Sequence, residues 1–286
     1  MSTVRHRLSR IVPRPALGRI RAARQRRTIE RFSPYVATHL YGGRELRISI
    51  EDPLAQGWYD HDWPRLGEID LLATRGRLRE GATVFDLGAH QCVVALMLAA
   101  EVGGSGTVVA VEATPHNAGV GRRNVALNHA GNVVVRHAVA SSSVGTVAFA
   151  PSLNGHVVHA GRASYAFASV DLPAVTVDSL AGTHGTPDVV FVDVEGFEEQ
   201  VLAGAAATFA ARPDWFVEVH AGVGLEAQGG SVAGVLAHFE RRGYRLFVGN
   251  SEEGSPYRPL EGPPPGRRFH LVALGWPPGA TPGLSL

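Results

Sequence analysis

The chain has 286 residues, 45% of them apolar, with a formal charge of +1 at pH 7. That balance excludes a disordered polyelectrolyte and allows one large domain with appendages. A single cysteine, Cys92, excludes an internal disulfide, and the longest apolar run, Cys92 to Ala100, is too short to span a bilayer. Both fit a reducing cytoplasm, the expected location.

All 27 basic residues are arginine, and ten of them fall between Arg5 and Arg31 against one acid, Glu30. Residues 1–32 therefore read as an arginine-rich arm suited to phosphates, an anionic membrane surface or an acidic partner, although a solvated, partly helical extension is the plainer reading. No apolar stretch of signal-peptide length follows it. Residues 33–80 read as an N-terminal cap. Tyr35–Leu40 and Glu45–Ile50 flank Gly42-Gly43 as a hairpin, GWYDHDWP (57–64) reads as an aromatic and acidic loop, and Leu66–Leu78 has helical spacing. Trp58, Tyr59 and Trp63 in that loop, with Asp60, His61 and Asp62 between them, would close over a cofactor, bind a sugar face or plug the edge of the sheet.

From residue 81 to 276 strand and helix patterns alternate. Strands are expected at 82–87, 107–112, 133–137, 188–194, 215–220, 244–248 and 269–274, and helices at 90–102, 115–129, 197–211 and 231–242. Thr114 is a plausible N-cap, followed by proline at the first helical position. The alternation predicts an α/β fold: a Rossmann-like, mostly parallel, seven-stranded sheet with helices on both faces. Residues 144–177 interrupt it with short strand patterns (TVAFA, HVVHA, VTV), read as a hairpin excursion. His156 and His159 within it would point to opposite faces and make a poor metal pair. Residues 277–286 are expected to be a disordered tail.

Ligands of open parallel sheets bind beyond the carboxyl ends of the strands, which singles out the strand-terminal acids Asp86, Glu112 and Asp193. Walker, GxSxG, HExxH and paired CxxC signatures are absent from the sequence. A pyrophosphate would require repeated glycine, whereas the loop after the first of these strands has Gly88 preceded by a carboxylate. One acid for a cationic amino-acid end and one for ribose hydroxyls describe S-adenosylmethionine.

VFDLGAHQC (84–92), VEATPHN (111–117), VDVEGFEEQVLAGA (192–205) and VEVH (217–220), with VDSL at 177–180, resemble in order and spacing the FkbM-type methyltransferases. These are class I S-adenosylmethionine-dependent enzymes, generally O-methyltransferases of sugars or secondary metabolites. The resemblance implies that Asp86 and Gly88, with Ala89 and His90, line the methionine end and that Glu112, with Ala113, holds the ribose. Ala138–Ser141, Val139 and Ala140 above all, would lie against adenine. Asp193 and Glu195 would face the methyl-transfer site. The sequence departs from the family at His90, usually asparagine, at Cys92, usually glycine, and near Ser141, where an acid is common.

A hydroxyl acceptor must lose a proton, so the site needs a base or a metal ion. Asp193, Glu195 and His220 are the expected acceptor-activating centre, with His220 or Glu195 as base, or with Asp193 and Glu195 as Mg²⁺ ligands. The expected partner is a small-molecule or glycan hydroxyl. DVEG in place of an Asn/Asp-Pro-Pro-aromatic motif argues against nucleic acid, the arginine arm for it. A non-catalytic binding protein on the same scaffold is the remaining alternative.

Overall fold

The computed structural model describes residues 23–24, 26–150, 156–157, 169–249 and 256–275. Most of the arginine arm, most of HVVHA with His159, and the tail at 277–286 lie outside the described residues.

The chain opens with an antiparallel hairpin, β1 (Tyr35–Tyr41) and β2 (Arg44–Ile50). Gly42 and Gly43 turn it at φ of 60° and 81°, the left-handed pair that glycine adopts without strain. Part of the stretch expected as a loop is instead helical. Asp52 starts α1 (Pro53–Tyr59) by accepting from the N–H groups of Leu54 and Ala55, so Gly57, Trp58 and Tyr59 form its last turn. The next helix, α2 (Gly67–Thr74), is shorter than its apolar spacing suggested.

The central sheet has the strand order β13-β12-β14-β11-β10-β3-β4-β5. β3 (Thr83–Leu87), β4 (Thr107–Glu112), β5 (Val133–His137), β10 (Val189–Val192) and β11 (Asp214–Val219) run parallel. β14 (Phe269–Leu274) inserts antiparallel between β11 and β12 (Arg245–Gly249), and β13 (Arg258–Pro259) adds a two-residue edge. Seven strands of four residues or more thus form the expected Rossmann-like sheet, with β13 as an eighth. α3 (Val93–Val102), α4 (Pro115–Leu127), α6 (Glu198–Ala203) and α7 (Val232–Glu240) supply crossovers. α3 is apolar almost throughout because it is buried almost throughout. Thr114 occupies the N-cap of α4, but its side chain makes no capping bond. The helix expected at 197–211 breaks after Ala203 and resumes as a 3₁₀ turn at Thr208–Ala211.

The excursion is a second, small sheet ordered β6-β9-β7-β8. In it β7 (Gly145–Ala150) pairs antiparallel with both β9 (Val170–Val175) and β8 (His156–Val157), while β6 (Val139–Ala140) runs parallel to β9. The capping box of Thr176 and Ser179 then starts α5 (Val177–His184).

Two apolar clusters fill the two faces of the central sheet. On one, Ile48, Ile50 and Leu72 of the N-terminal cap pack with Val84, Val189 and Phe191; on the other, Val201, Phe209, Trp215 and Phe239 pack with Phe85 and Val190. The cap thus lies over the face onto which Asp86 and Asp193 point.

Candidate functional site

Strand order reverses between β3 and β10: β4 and β5 extend the sheet one way, β10 and β11 the other. The turns that leave these two strands interlock. Gly88, at φ 94°, presses so close to the Asp193 carbonyl that a Cβ would collide with it, and the Asp193 N–H donates to the Leu87 carbonyl at 2.9 Å. Only glycine fits here. The Gly88 and Ala89 N–H groups both donate to the Val111 carbonyl (2.8 and 3.0 Å), tying the loop to β4 as well.

A cavity of about 300 Å³ opens above this switch point. Asp86, Gly88, Ala89, His90, Glu112, Ala113, Val139 and Ala140, the expected cofactor residues, all line it. Ser141 does not: it is buried behind the wall, with its N–H on the Val175 carbonyl, so its hydroxyl is not on the cavity surface. Phe149 and Phe197 are wall residues that the motifs did not indicate.

Glu112 holds two loops at once. Its Oε2 accepts from the His90 N–H at 3.0 Å and its Oε1 from the Thr114 N–H at 2.6 Å, which fixes the carboxylate in the cavity wall. Burial raises its pKa to about 7, against the opposing hydrogen bonds. Asp86 is likewise raised to about 7, by burial and then by the charge of Glu112. Its Oδ2 is buried without a partner, the signature of a site built for a donor that the chain itself does not supply.

His90 and Cys92 both take positive φ (47° and 62°), which is how a glycine-poor loop makes this turn. The His90 ring is tied down by Tyr59, whose OH lies 2.7 Å from Nδ1. Burial holds the phenol far above its ordinary pKa, so it keeps its proton. Trp58 packs on the same imidazole with centroids 5.1 Å apart. The aromatic stretch at 57–64 thus roofs the loop after β3, with Trp58, Tyr59 and Trp63 in the cavity wall. Cys92 points away from the cavity, fully buried beside Gly121. Burial pushes its thiol well up, so it is a packed stand-in for glycine and not a reactive thiol.

Asp193, Glu195 and His220 come together. His220 Nε2 lies 3.7 Å from Asp193 Oδ1 and 3.5 Å from Glu195 Oε2. One ligand atom from each of the three falls within 4.8 Å of the others. The strand ends at Val192, so Asp193 and Glu195 sit on a turn, with Glu195 at φ 53° and Gly196 at φ 100°. Three N–H groups, of Val223, Gly224 and Leu225, converge on the His220 carbonyl and fix its backbone.

The residue that sequence reasoning missed is Glu198. Fully buried, it accepts from His220 Nδ1 at 2.7 Å and from the Gly196 N–H at 2.8 Å. In DVEGFEEQ it looked like an ordinary acid at a helix start. Burial alone would lower the pKa of His220, but the bond to Glu198 and the charges of Glu198, Asp193 and Glu195 raise it to about 9. Glu218, two residues before His220 and on the same face of β11, was also missed. Burial opposes its ionisation, yet His270, His220 and Arg268 hold it down at about 2. Asp193, with 47% of its side chain open to the cavity but Oδ1 out of solvent, is pushed well up by its enclosed position and then by Glu218.

A family model described as a methyltransferase FkbM domain matches residues 86–246, more than half the chain. Among curated proteins nothing matches. Among solved structures, a SAM-dependent methyltransferase from Aquifex aeolicus is 14% identical, with 79% of this chain and 94% of that one covered and a TM-score of 0.43. A SAM-dependent O-methyltransferase from Thermotoga maritima gives 14% identity, 82% and 75% coverage and a TM-score of 0.45. A methyltransferase FkbM from Methylobacillus flagellatus KT gives 15% identity and a TM-score of 0.43, and 67% of this chain spans only 43% of that one. Likenesses this distant carry no argument about chemistry, and the domain match is what assigns the family. On that match the chain belongs to the FkbM methyltransferase family, enzymes that take their methyl group from S-adenosylmethionine.

Proposed function

We propose that the protein is an O-methyltransferase acting on a hydroxyl of a sugar, glycan or secondary metabolite. The observation that carries this reading is the His220 imidazole, anchored through Nδ1 to Glu198 with Nε2 directed at Asp193 and Glu195. An alcohol holds its proton tightly and needs a base of this kind, whereas a neutral amine already presents a lone pair. The carboxylates in the cavity wall and DVEG after β10 both argue against a nucleic-acid acceptor.

In this reading Asp86 receives the ammonium end of the cofactor, Gly88, Ala89 and His90 lie along its methionine part, Glu112 and Ala113 take the ribose, and Val139 and Ala140 cover the adenine. The unpartnered Asp86 Oδ2 and the doubly fixed Glu112 fit such a cation and such a diol. The bound cofactor supplies an electrophilic methyl group. His220 accepts the acceptor's proton at Nε2, while Glu198 holds the ring and stabilises its charge; Asp193 and Glu195 orient the hydroxyl.

A metal-assisted variant rests on the same atoms. Asp193 and Glu195 are hard oxygen ligands for Mg²⁺. Nε2 of His220 is buried without a hydrogen-bond partner, and a carboxylate on Nδ1 is the usual outer support of a metal-bound imidazole. An ion there would make the hydroxyl more acidic in place of the base.

Calorimetric titration of S-adenosylhomocysteine into chelator-treated protein, with Glu112→Gln as control, tests the pocket. An acceptor screen with and without Mg²⁺, reading O-methyl signals by NMR, tests the chemistry. Binding without O-methylation of any hydroxyl in a broad sugar and glycan screen would overturn the acceptor assignment. Absence of binding would favour a non-catalytic scaffold.

A further inference from the structure

The buried and half-buried acids mostly have a basic side chain beside them. Asp52 has His116 at 2.9 Å, Asp214 has Arg75 at 3.3 Å, Glu198 has His220 at 2.7 Å and Glu218 has Arg268 at 3.1 Å. Asp86 and Glu112 are assigned above to the cofactor. One acid remains. Glu68, on α2, is only 7% exposed and lines the cavity, yet it has no ion-pair partner among the described residues. Its single described hydrogen bond comes from the Tyr257 hydroxyl, 3.0 Å from Oε2. Burial, and then the charge of Glu68, hold that phenol far above its ordinary pKa, so it keeps its proton and donates a hydrogen bond to Glu68. A cation that reaches this part of the cavity wall therefore meets an acid that no basic side chain among the described residues already pairs.

Glu68 is wired to the reaction centre along the rim of the sheet. Tyr257 OH lies 3.3 Å from His270 Nδ1, His270 Nε2 lies 3.8 Å from Glu218, and Glu218 neighbours Asp193. The floor between them is aromatic, Phe191 and Phe216 having centroids 5.1 Å apart, and aromatic faces favour cations. No arginine lines the cavity.

We infer that the acceptor bears a protonated amine, received by Glu68, beside the hydroxyl that is methylated: an amino sugar or a comparable amino polyol. The inference rests on the hydroxyl-acceptor reading. Pairing with Glu68 keeps the nitrogen protonated and so without a lone pair, which directs the methyl group to oxygen. A carboxylate or phosphate at the same position on the acceptor meets Glu68 and Glu218 and is rejected.

The test compares matched acceptors, the methyl glycosides of glucosamine, glucose and glucuronic acid, at pH 7, with the methyl position located by mass spectrometry. The amino glycoside should be used with kcat/KM at least tenfold above the neutral one, and the uronide should not be used. Glu68→Gln keeps an acceptor for Tyr257 and should reduce that preference to threefold or less, through KM more than kcat, with its thermal midpoint showing a folded protein. Equal use of the neutral glycoside, refusal of the amine by the wild type, or a preference intact in Glu68→Gln would each overturn the inference and leave O-methylation standing. Methylation on nitrogen would instead overturn the hydroxyl reading.

Discussion

His220 and Glu198 form a buried pair in which the imidazole Nδ1 lies 2.7 Å from a carboxylate that solvent does not reach. The pair sets a pH dependence. His220 is raised to about 9, so its neutral, proton-accepting form grows about tenfold per pH unit below that value. We expect kcat/KM to climb with this slope from pH 7 toward 9 and then level off. Glu198→Gln removes the charge that raises the imidazole, so the limb should move to lower pH as the plateau falls. A profile flat from pH 6 to 9 would remove His220 as the base. The linked stability has the same origin: with a folded value above the ordinary 6.5, the contribution is fully present below pH 6.5 and is lost as pH rises through 9.

Asp86 and Glu112 are both raised to about 7, because burial penalises both charges and the charge of Glu112 adds to the rise of Asp86. A cationic cofactor binds the ionised forms. Affinity for S-adenosylmethionine should therefore rise from pH 6 to 8 with release of protons, measurable by calorimetry in buffers of different ionisation enthalpy. Hydrogen bonds to charged groups contribute about 1.5–3 kcal/mol. Glu112→Gln should thus weaken S-adenosylhomocysteine binding roughly 10- to 100-fold. Unchanged affinity in that variant would detach Glu112 from the ribose.

Gly88 and Gly43 make a controlled comparison of glycine positions. Both have positive φ, but a Cβ at Gly43 meets open space and one at Gly88 meets the Asp193 carbonyl. Gly43→Ala should cost about 1 kcal/mol, and Gly88→Ala about 3 kcal/mol or more, with loss of cofactor binding. Urea unfolding of the two variants measures the difference. Similar costs would mean that the interlock of the two turns yields easily.

Cys92 should react with thiol reagents only when the domain opens, since it is fully buried and its pKa is raised. Its sulfur also fills the space a Cβ on Gly121 would occupy. Gly121→Ala should therefore destabilise the wild type and do so less in a Cys92→Gly background. The expected coupling in a double-mutant cycle is about 1–2 kcal/mol. Additivity of the two changes would show that the contact carries no energy.

Much of this fold was legible because buried strands and helices leave strong periodic signals. β3, β4, β5 and β14 fall where alternation of apolar runs and turns predicts them, and the acids closing β3, β4 and β10 meet at one cavity because strand order reverses there. What escaped was set by contacts distant in sequence. α1 was hidden inside an aromatic stretch because its N-cap, Asp52, is also held by Gln91, from the loop after β3, and by His116, from the first turn of α4. Glu198 looked like a helix-start acid because nothing local says that its carboxylate turns inward to His220, 22 residues away. Glu68 and Tyr257, 189 residues apart, meet only once the cap lies on the sheet.

β14 carries His270, which lines the cavity, and lies between β11 and β12, both of which precede it in the chain. A ribosome making this protein therefore finishes β11 roughly fifty residues before the neighbour that β11 needs. At about 5–20 residues per second that strand waits several seconds with an edge exposed. The sheet closes from its middle outward in time, and the side of the cavity that carries His270 is walled last. A nascent chain is thus able to form the turn after β3 against β4 well before β14 completes the cavity wall, and the exposed edge of β11 is where a chaperone would have most to protect.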